Sequence, residues 1–351
     1  MSKATNLADH ARYAVASGRN KIINGDMRID QRYAGAATAN TINGYVADRW
    51  YVAQSVAGKV IAQRSETVYP TGFNYSLGIT SQSAYAVAAG DYYPIEHRIE
   101  GLNCADLNWG TAQAAPVTIS FWVRCSLTGT FGGGVRNSAN DRSYPFSYTI
   151  SAANTWEKKT VTIPGDTSGT WLKNNGLGLG LALSLGMGST FSGTAGAWVA
   201  GNFISVTGTV SVVGTNAATF YVTGVQLEVG LVATPFEHLS YGRQLALCQR
   251  YYAPVGAGWS GMEESATSFS VAFRYPTIMR TTPTLSIISS SISTRLPATA
   301  ADRTITGCAI SSPAPTALGA WVLFSNTSGN TAGRFIQDRG GINIVNASAE
   351  L

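Results

Sequence analysis

The sequence predicts an all-β protein, and three observations carry that expectation. Apolar and β-branched residues alternate with period two in short runs, turn-forming groups such as Asn24-Gly25-Asp26, Asn43-Gly44 and Pro164-Gly165-Asp166 separate the runs, and no continuous helical period appears between about 30 and 235. Glycine supports the same reading at 38 of 351 residues, because each interior Gly costs a helix about 1 kcal/mol. With 45% apolar and 10% aromatic residues the chain can bury a core, although only 12% of it is charged.

Taken in order, the first element is a short amphipathic helix over 6–17, with Leu7, Ala11, Ala14 and Val15 on one face and Gly18 as its stop. At twelve residues it is too short to be stable alone, so it must dock on its own domain, on a symmetry mate or on a larger assembly. Strands and turns follow from Lys21. Pro116 to Arg124, Trp156 to Ile163 and Phe220 to Val229 each alternate with period two. The longest alternation is GLGLGLALSLGMG from Gly176 to Gly188, which places five Leu and Met187 on one face and Gly, Ala or Ser on the other. The Leu face suits a core. The bare face permits another backbone to approach, from a neighbouring sheet, a second subunit or a ligand. A second helix is expected over 240–252, capped by Ser240, and a smaller β domain over 253–351. The domain plan is therefore an attachment segment 1–20, a large β domain 21–239, the linking helix and the C-terminal domain.

Charge and cysteine usage exclude several functions. From Asn174 to Leu227 there is no Asp, Glu, Lys, Arg or His, yet Gly, Ser, Thr and Asn dilute this tract too heavily for a membrane span. The N-terminus lacks the apolar region of a signal peptide, so neither membrane insertion nor export by that route is expected. The net charge of +5 is spread in singletons and pairs rather than a basic patch, against nucleic-acid binding. Cys104, Cys125, Cys248 and Cys308 are far apart, without the spacing of a zinc site, and are expected as buried free thiols. No cofactor and no metal are expected.

Catalytic motifs are equally scarce. There is no nucleophile elbow, metalloprotease helix, phosphate loop or dinucleotide-binding unit. His10, His97 and His238 are too scattered for a triad. Glu96, Arg98 and Glu100 would share one strand face, where surface ion pairing competes with a carboxylate pair of the glycosidase kind. Phe131-Gly132-Gly133-Gly134-Val135-Arg136 reads as a flexible turn or an anion loop, the turn being simpler because no helix follows. What remains is aromatic surface. Tyr92, Tyr93, Trp109, Tyr144, Trp171 and Trp259 sit in polar contexts and are candidate carbohydrate contacts, since sugar rings stack on exposed aromatics while polar neighbours take the hydroxyls. Core or interface packing is the alternative for each.

Two stretches carry a specific resemblance. Asn20 to Arg32, reading NKIINGDMRIDQR, is followed by Ala47-Asp48-Arg49-Trp50; later come Val222 to Gly230, Ala233-Thr234-Pro235-Phe236-Glu237 and Tyr241 to Tyr252. Together these resemble the opening and closing strands, with trailing helix, of a jelly-roll domain found in tailed-bacteriophage fibre and virion-surface proteins. That domain is similar in turn to carbohydrate-binding modules, whose first strand commonly reads Asn-Gly-Asp-Phe-Glu and which hold a structural calcium. Here Arg28 stands at the acidic position and Thr223-Gly224 replaces the closing Asp pair, so no calcium is expected. The resemblance gives Asn24, Gly25, Asp26, Asp48, Arg49, Trp50, Gln226, Glu228, Pro235, Phe236 and Glu237 structural roles.

The resemblance implies a jelly-roll β-sandwich in a non-enzymatic virion protein of a tail fibre, tail tip or head fibre, made in the host cytoplasm. It would form a homotrimer, contact other virion structural proteins and bind host-surface polysaccharide. The alternative is a purely architectural decoration or fibre-joining subunit. Symmetric assembly would also explain the neutral tract, with partners covering the bare face of 176–188.

Overall fold

A computed structural model describes residues 18–39, 43–296, 301–326, 330–339 and 343–351. The helix expected over 6–17 falls outside them. The chain divides into two compact units, Met1–Ser240 with Leu351 and Tyr241–Glu350.

The first unit is a sandwich of two antiparallel sheets. One has seven strands in the order Gly44–Ala47, Trp50–Val52, Tyr92–Glu100, Leu177–Met187, Gly129–Arg136, Arg142–Ile150 and Val199–Ala200. The other has five, Val60–Ser65, Ser76–Ser81, Thr219–Val229, Val117–Cys125 and Glu157–Ile163. After each hairpin or single strand the chain crosses to the other sheet, which is the winding of a jelly roll. Period-two alternation sorts the side chains, so Leu179, Leu181, Leu183 and Leu185 meet Phe121, Phe131, Phe220 and Trp50 in one core.

The Gly face of Leu177–Met187 is buried within the single chain. Every residue from Gly178 to Gly186 is buried, so of the coverings expected for this face it is packing within the chain, and not a symmetric partner, that hides it. A Cβ on Gly178 would clash with Cys104 Sγ and Gly101, one on Gly186 would lie 2.7 Å from Val213 Cγ2, and one on Gly188 would strike the carbonyls of Ala88 and Ala89. The chain's own loops fill the space that the missing side chains leave. Gly132 to Gly134 require a second correction, since they lie inside the Gly129–Arg136 strand, Gly133 and Gly134 paired on both sides, rather than in a turn. Gly133 is bare because the Phe146 ring lies where its Cβ would be.

Both resembling motifs meet. The Lys21 and Val225 amides donate to Leu227 O (2.8 Å) and Gly25 O (2.9 Å), while Asn20 donates from Nδ2 to Val225 O (3.1 Å) and accepts at Oδ1 from Leu227 N (3.0 Å). Glu237 accepts from Gly18 N (2.6 Å) and Asn20 N (3.0 Å), and its own amide donates to Gln226 Oε1 (2.8 Å). Gln226 in turn donates to Glu228 Oε1 (2.8 Å), whose oxygens also accept from the amide and hydroxyl of Thr234. Arg19 donates to Pro235 O (2.7 Å), and Phe236 packs edge-on against Phe73. Buried polar groups are costly unless satisfied, so this network fixes one geometry for the clasp. Gly25 is essential to it: a Cβ there would collide with Val225 O.

Asn24 adopts a left-handed conformation (φ 60°) and bonds Ile29 N, Ile29 O and Asp48 O. Asp48 accepts from the Gln31 amide (2.7 Å) and side chain (3.0 Å) and pairs with Arg32 (3.3 Å). Trp50, fully buried, donates from Nε1 to Asn24 O (2.8 Å), and buried Arg49 donates to Arg98 O. Arg28 places its guanidinium on Asp26, with Nη2 2.5 Å from Oδ2. His97 lies inside the same core, its Nε2 3.0 Å from Ile23 O and its ring edge-on to Trp50. Burial, reinforced by the Arg49 guanidinium, pushes its pKa down to about 3 despite the bond to Ile23.

In the second unit the helix Tyr241–Gln249 is shorter than expected, because Tyr252–Val255 leaves it to pair with Val345–Ser348. Thr284–Ile287 completes that sheet. A seven-stranded sheet runs Ala301–Ile305, Ile292–Leu296, Phe335–Asp338, Ser260–Ser265, Ser268–Arg274, Gly319–Ser325 and Ala309–Pro315. Trp259, Phe269 and Phe324 lead its core.

Two outcomes are expected. Gly25→Ala destabilises the first unit by about 2–4 kcal/mol, whereas Gly90→Ala, with open space around the Cβ, stays within about 0.5 kcal/mol, as read from chemical denaturation. For His97, the unfolded side chain binds a proton near pH 6.5 and the folded one only near 3. Between those values the unfolded state holds more protons, so stability falls with falling pH, by up to about 1.4 kcal/mol per pH unit from this group. Denaturation curves from pH 6.5 to 4 should show a shallower slope in His97→Gln than in the wild type; equal slopes would refute the assignment.

Candidate functional site

A groove of 360 Å³ opens on the outer face of the seven-stranded sheet of the first unit. Two outward rows of the sheet run beneath it, and from them Tyr51, Glu96, Arg98 and Arg136 line it. Tyr51, Glu96, Ala182 and Gly134 lie side by side across four strands, and Arg98, Gly180, Arg136 and Ser143 form the next outward row. Alternation sends the intervening row, with His97 and Leu181, into the core. Ala182 and Gly180 have almost no height, so longer side chains reach across them; Arg136 Cγ lies 3.5 Å from where a Gly180 Cβ would stand.

Glu96 organises the polar part. Only 5% exposed, it pairs through Oε2 with Arg98 (3.0 Å) and through Oε1 with Arg136. Arg136 also donates to Asn202 Oδ1 (2.7 Å), and the Arg98 guanidinium lies 4.3 Å from the centroid of the Tyr51 ring. Tyr92 and Phe191 meet edge-on at 5.5 Å at the other end. The arrangement combines aromatic walls with guanidinium, amide and carboxylate groups whose positions are set by one another, which suits binding of a polar ligand with apolar faces.

The far wall comes from the chain between Gly188 and Val213. Its residues 203–206 lie directly on the sheet, where a Cβ on Gly134 would stand 2.8 Å from Ile204 Cα and Phe203 O, and one on Gly132 would strike Ser205. The segment is anchored repeatedly. Val199–Ala200 pairs with Arg142 and Ser143, Ser143 Oγ donates to Gly201 O (2.8 Å), Ile204 N to Phe191 O (3.0 Å) and Val210 N to Thr130 O (2.8 Å). Ile204 and Ser205 are buried. This strap presents Phe191, Asn202 and Ile204 to the groove.

Of the aromatic side chains singled out from the sequence, the groove contains Tyr92, which is 38% exposed. The others correct the expectation of exposure. Tyr93, next along the strand, faces the core. Trp109 and Trp171 form an edge-to-face cluster with Trp198, which also holds Tyr144, with centroids 4.7–5.5 Å apart. Their polar surroundings serve the indole N–H groups: Trp109 donates to Ala115 O (2.7 Å) and Trp171 to Ser168 O (3.2 Å). Trp259 stacks on Phe269 inside the second unit. With 0–8% exposure, none of these five offers a free ring face.

Sequence reasoning missed Tyr51, Arg136, Phe191 and Asn202. For Arg136 the signal was the period-two continuation of a Gly strand, obscured by reading it as a turn. For Phe191 and Asn202 no local signal exists, because their placement depends on contact with glycines more than 50 residues away. The possible carboxylate pair is also resolved in part: both oxygens of Glu96 are held by guanidinium groups. Among the described residues, no group of three or more His, Cys, Asp or Glu side chains converges as a metal site. The four cysteines are buried, and none is in a disulfide.

No protein-family profile matches the sequence, and no curated protein matches it. Solved structures with a similar course of chain include a CBM4 structure (TM-score 0.31, 13% identity, covering 60% of this chain and 99% of that one). A candidate sugar-binding protein from Bacteroides thetaiotaomicron gives a TM-score of 0.36 at 11% identity, over 60% of this chain and 100% of that one. The enzymatically active domain of tailspike protein 4 from bacteriophage CBA120 gives 0.32 at 10% identity, over 61% of this chain and 22% of that one. At these identities and TM-scores the likenesses assign no residue, ligand or partner to this chain.

Neutralising Glu96 tests the geometry of the site. Glu96→Gln leaves two guanidinium groups facing each other without a carboxylate, and is expected to cost about 1–3 kcal/mol of stability, less than for a fully buried triad because both arginines are partly exposed. Denaturation of Glu96→Gln and of Glu96→Gln with Arg136→Met reads this; the double variant should recover part of the loss.

Proposed function

We propose that the first unit binds surface glycan through this groove, and that the chain acts as a virion-surface adhesion protein of a tailed bacteriophage, by binding rather than bond cleavage. The observation that carries the glycan reading is the pairing of Tyr92 and Phe191 with the Glu96-centred set of Arg98, Arg136 and Asn202. Sugars present apolar ring faces and peripheral hydroxyls, and such a groove offers a partner to each. The commitment of both Glu96 oxygens to arginines supports binding, because neither oxygen is left to act on a scissile bond. The virion assignment, and with it a homotrimer contacting other virion proteins, rests on the resembling motifs at 20–32, 47–50 and 222–252.

A second reading, an architectural subunit without glycan binding, has its own support. In the second unit Met262 and Phe335 are register partners and about half exposed, with Trp321 45% exposed on the outer face of the same sheet. A symmetric assembly would cover such a patch.

An array of bacterial-surface polysaccharides, probed with the full chain, separates the two. The glycan reading expects binding that weakens roughly tenfold, about 1.4 kcal/mol, in Tyr92→Ala or Phe191→Ala while the folding transition is unchanged. Binding to no polysaccharide, together with self-association and labelling of virions, would favour the architectural role.

A further inference from the structure

The hydrogen-bonding groups of the groove are unevenly engaged. Among the described residues that line it, the carboxylate and amide oxygens already have donors. Glu96 Oε2 accepts from Arg98 Nε (3.3 Å) and Nη2 (3.0 Å), and Glu96 Oε1 accepts from Arg136 Nη2. Asn202 Oδ1 accepts from Arg136 Nη1 (2.7 Å), and Asn43 Oδ1 from the Gln54 amide (2.8 Å). Two donors are left over. Arg136 Nε and Asn202 Nδ2 have no acceptor among the described residues, and both side chains are partly open to solvent. Nε lies 3.8 Å from where a Gly180 Cβ would stand, so the strand beneath brings no side chain of its own to it. The Tyr51 and Tyr92 hydroxyls can act either way.

Charge is uneven in the same direction. The ionised side chains among the described residues that line the groove are Glu96, Arg98 and Arg136, one carboxylate between two guanidinium groups. Arg98 is further held at Nη1 by the Leu351 carbonyl (2.7 Å) and lies over the Tyr51 ring. Arg136 has, beyond its share of Glu96, only the neutral amide of Asn202. Asp91, adjacent to Tyr92, is buried and engaged by Ser55, Tyr85 and the Ala88 amide, and the chain from Gly188 to Val213 has no ionisable side chain.

We infer that the groove selects an acidic glycan, one with a carboxylate on the sugar residue that it holds. This inference rests on the glycan reading above and adds a substrate class to it. The acidic residue sits at Arg136 and Asn202, where its carboxylate accepts from Nε and Nδ2 and supplies the charge that Glu96 divides between two arginines. From there the glycan continues against Tyr92 and Phe191. A hydrogen bond to an ionised partner is roughly twice as strong as a neutral one, so the acid gains over the matching neutral sugar at this one position.

Isothermal titration of the full chain tests this with bacterial capsular polysaccharides and O-polysaccharides, some neutral and some containing uronic acids or 2-keto sugar acids. Each acidic one is also supplied in a carboxyl-reduced form, in which the carboxylate has become a hydroxymethyl group. The inference expects binding among the acidic polysaccharides that weakens at least tenfold on reduction. That difference should shrink at least threefold in Arg136→Gln, and also in Asn202→Asp, which keeps the shape of the amide while bringing a negative charge of its own. Neutral or reduced polysaccharides bound as tightly as the acidic ones would overturn the inference and leave the glycan reading intact. So would a preference for the acid that persists undiminished in Asn202→Asp with its folding transition unchanged, because the charge would then be read elsewhere on a chain of net charge +5. Absence of binding to every member of the panel, acidic, neutral or reduced, would overturn both.

Discussion

The first unit depends on a clasp between two stretches about two hundred residues apart. Residues 18–31 and 223–237 exchange backbone hydrogen bonds and share a line of satisfied polar side chains from Glu237 through Gln226 to Glu228. Thr219–Val229 is the central strand of the five-stranded sheet, so what the clasp holds is the middle of that sheet rather than its edge. The same opening segment supplies Asn24, whose carbonyl accepts from Trp50, and Ile23, whose carbonyl meets His97. Trp50 and His97 lie opposite each other in neighbouring strands of the seven-stranded sheet. One short segment thus registers both sheets, and the outward rows that form the groove inherit that register.

Glycine acts here through what it omits. In Leu177–Met187 and Gly129–Arg136 the leucines and aromatics build the core, while the glycines on the outward side let the chain's own loops lie flat on the sheet. Where a loop lies down, as at Gly132 and Gly134, the face is closed. Where none does, at Gly180 and Ala182, the floor stays low and the arginines and Glu96 spread over it. Side chains rather than a loop cover these two residues, and the groove opens beside them.

Much of the fold was legible in the sequence because it rests on local rules. Asn24-Gly25-Asp26 announces a turn, alternation announces the strands, and the Leu face of 177–187 announces a core. The site was less legible. Tyr92 and Tyr93 are adjacent and therefore face opposite ways, but alternation alone does not say which faces out. Trp109 and Trp171 stand among polar residues because their indole nitrogens need carbonyl partners, and a sequence shows that polarity without showing that it is spent inside a cluster. Phe191 and Asn202 come from a strap whose course is set by glycines in another strand, a long-range fit with no periodic signature.

The strap also has an electrical character. Between Gly188 and Val213 no side chain is ionisable, and its partner for Arg136 is the neutral amide of Asn202. Neither protonation nor counterions act directly on this wall. The charged groups of the groove are confined to its floor, where Glu96, Arg98 and Arg136 pair with one another. The wall therefore contributes shape to the groove, and the floor contributes its charge.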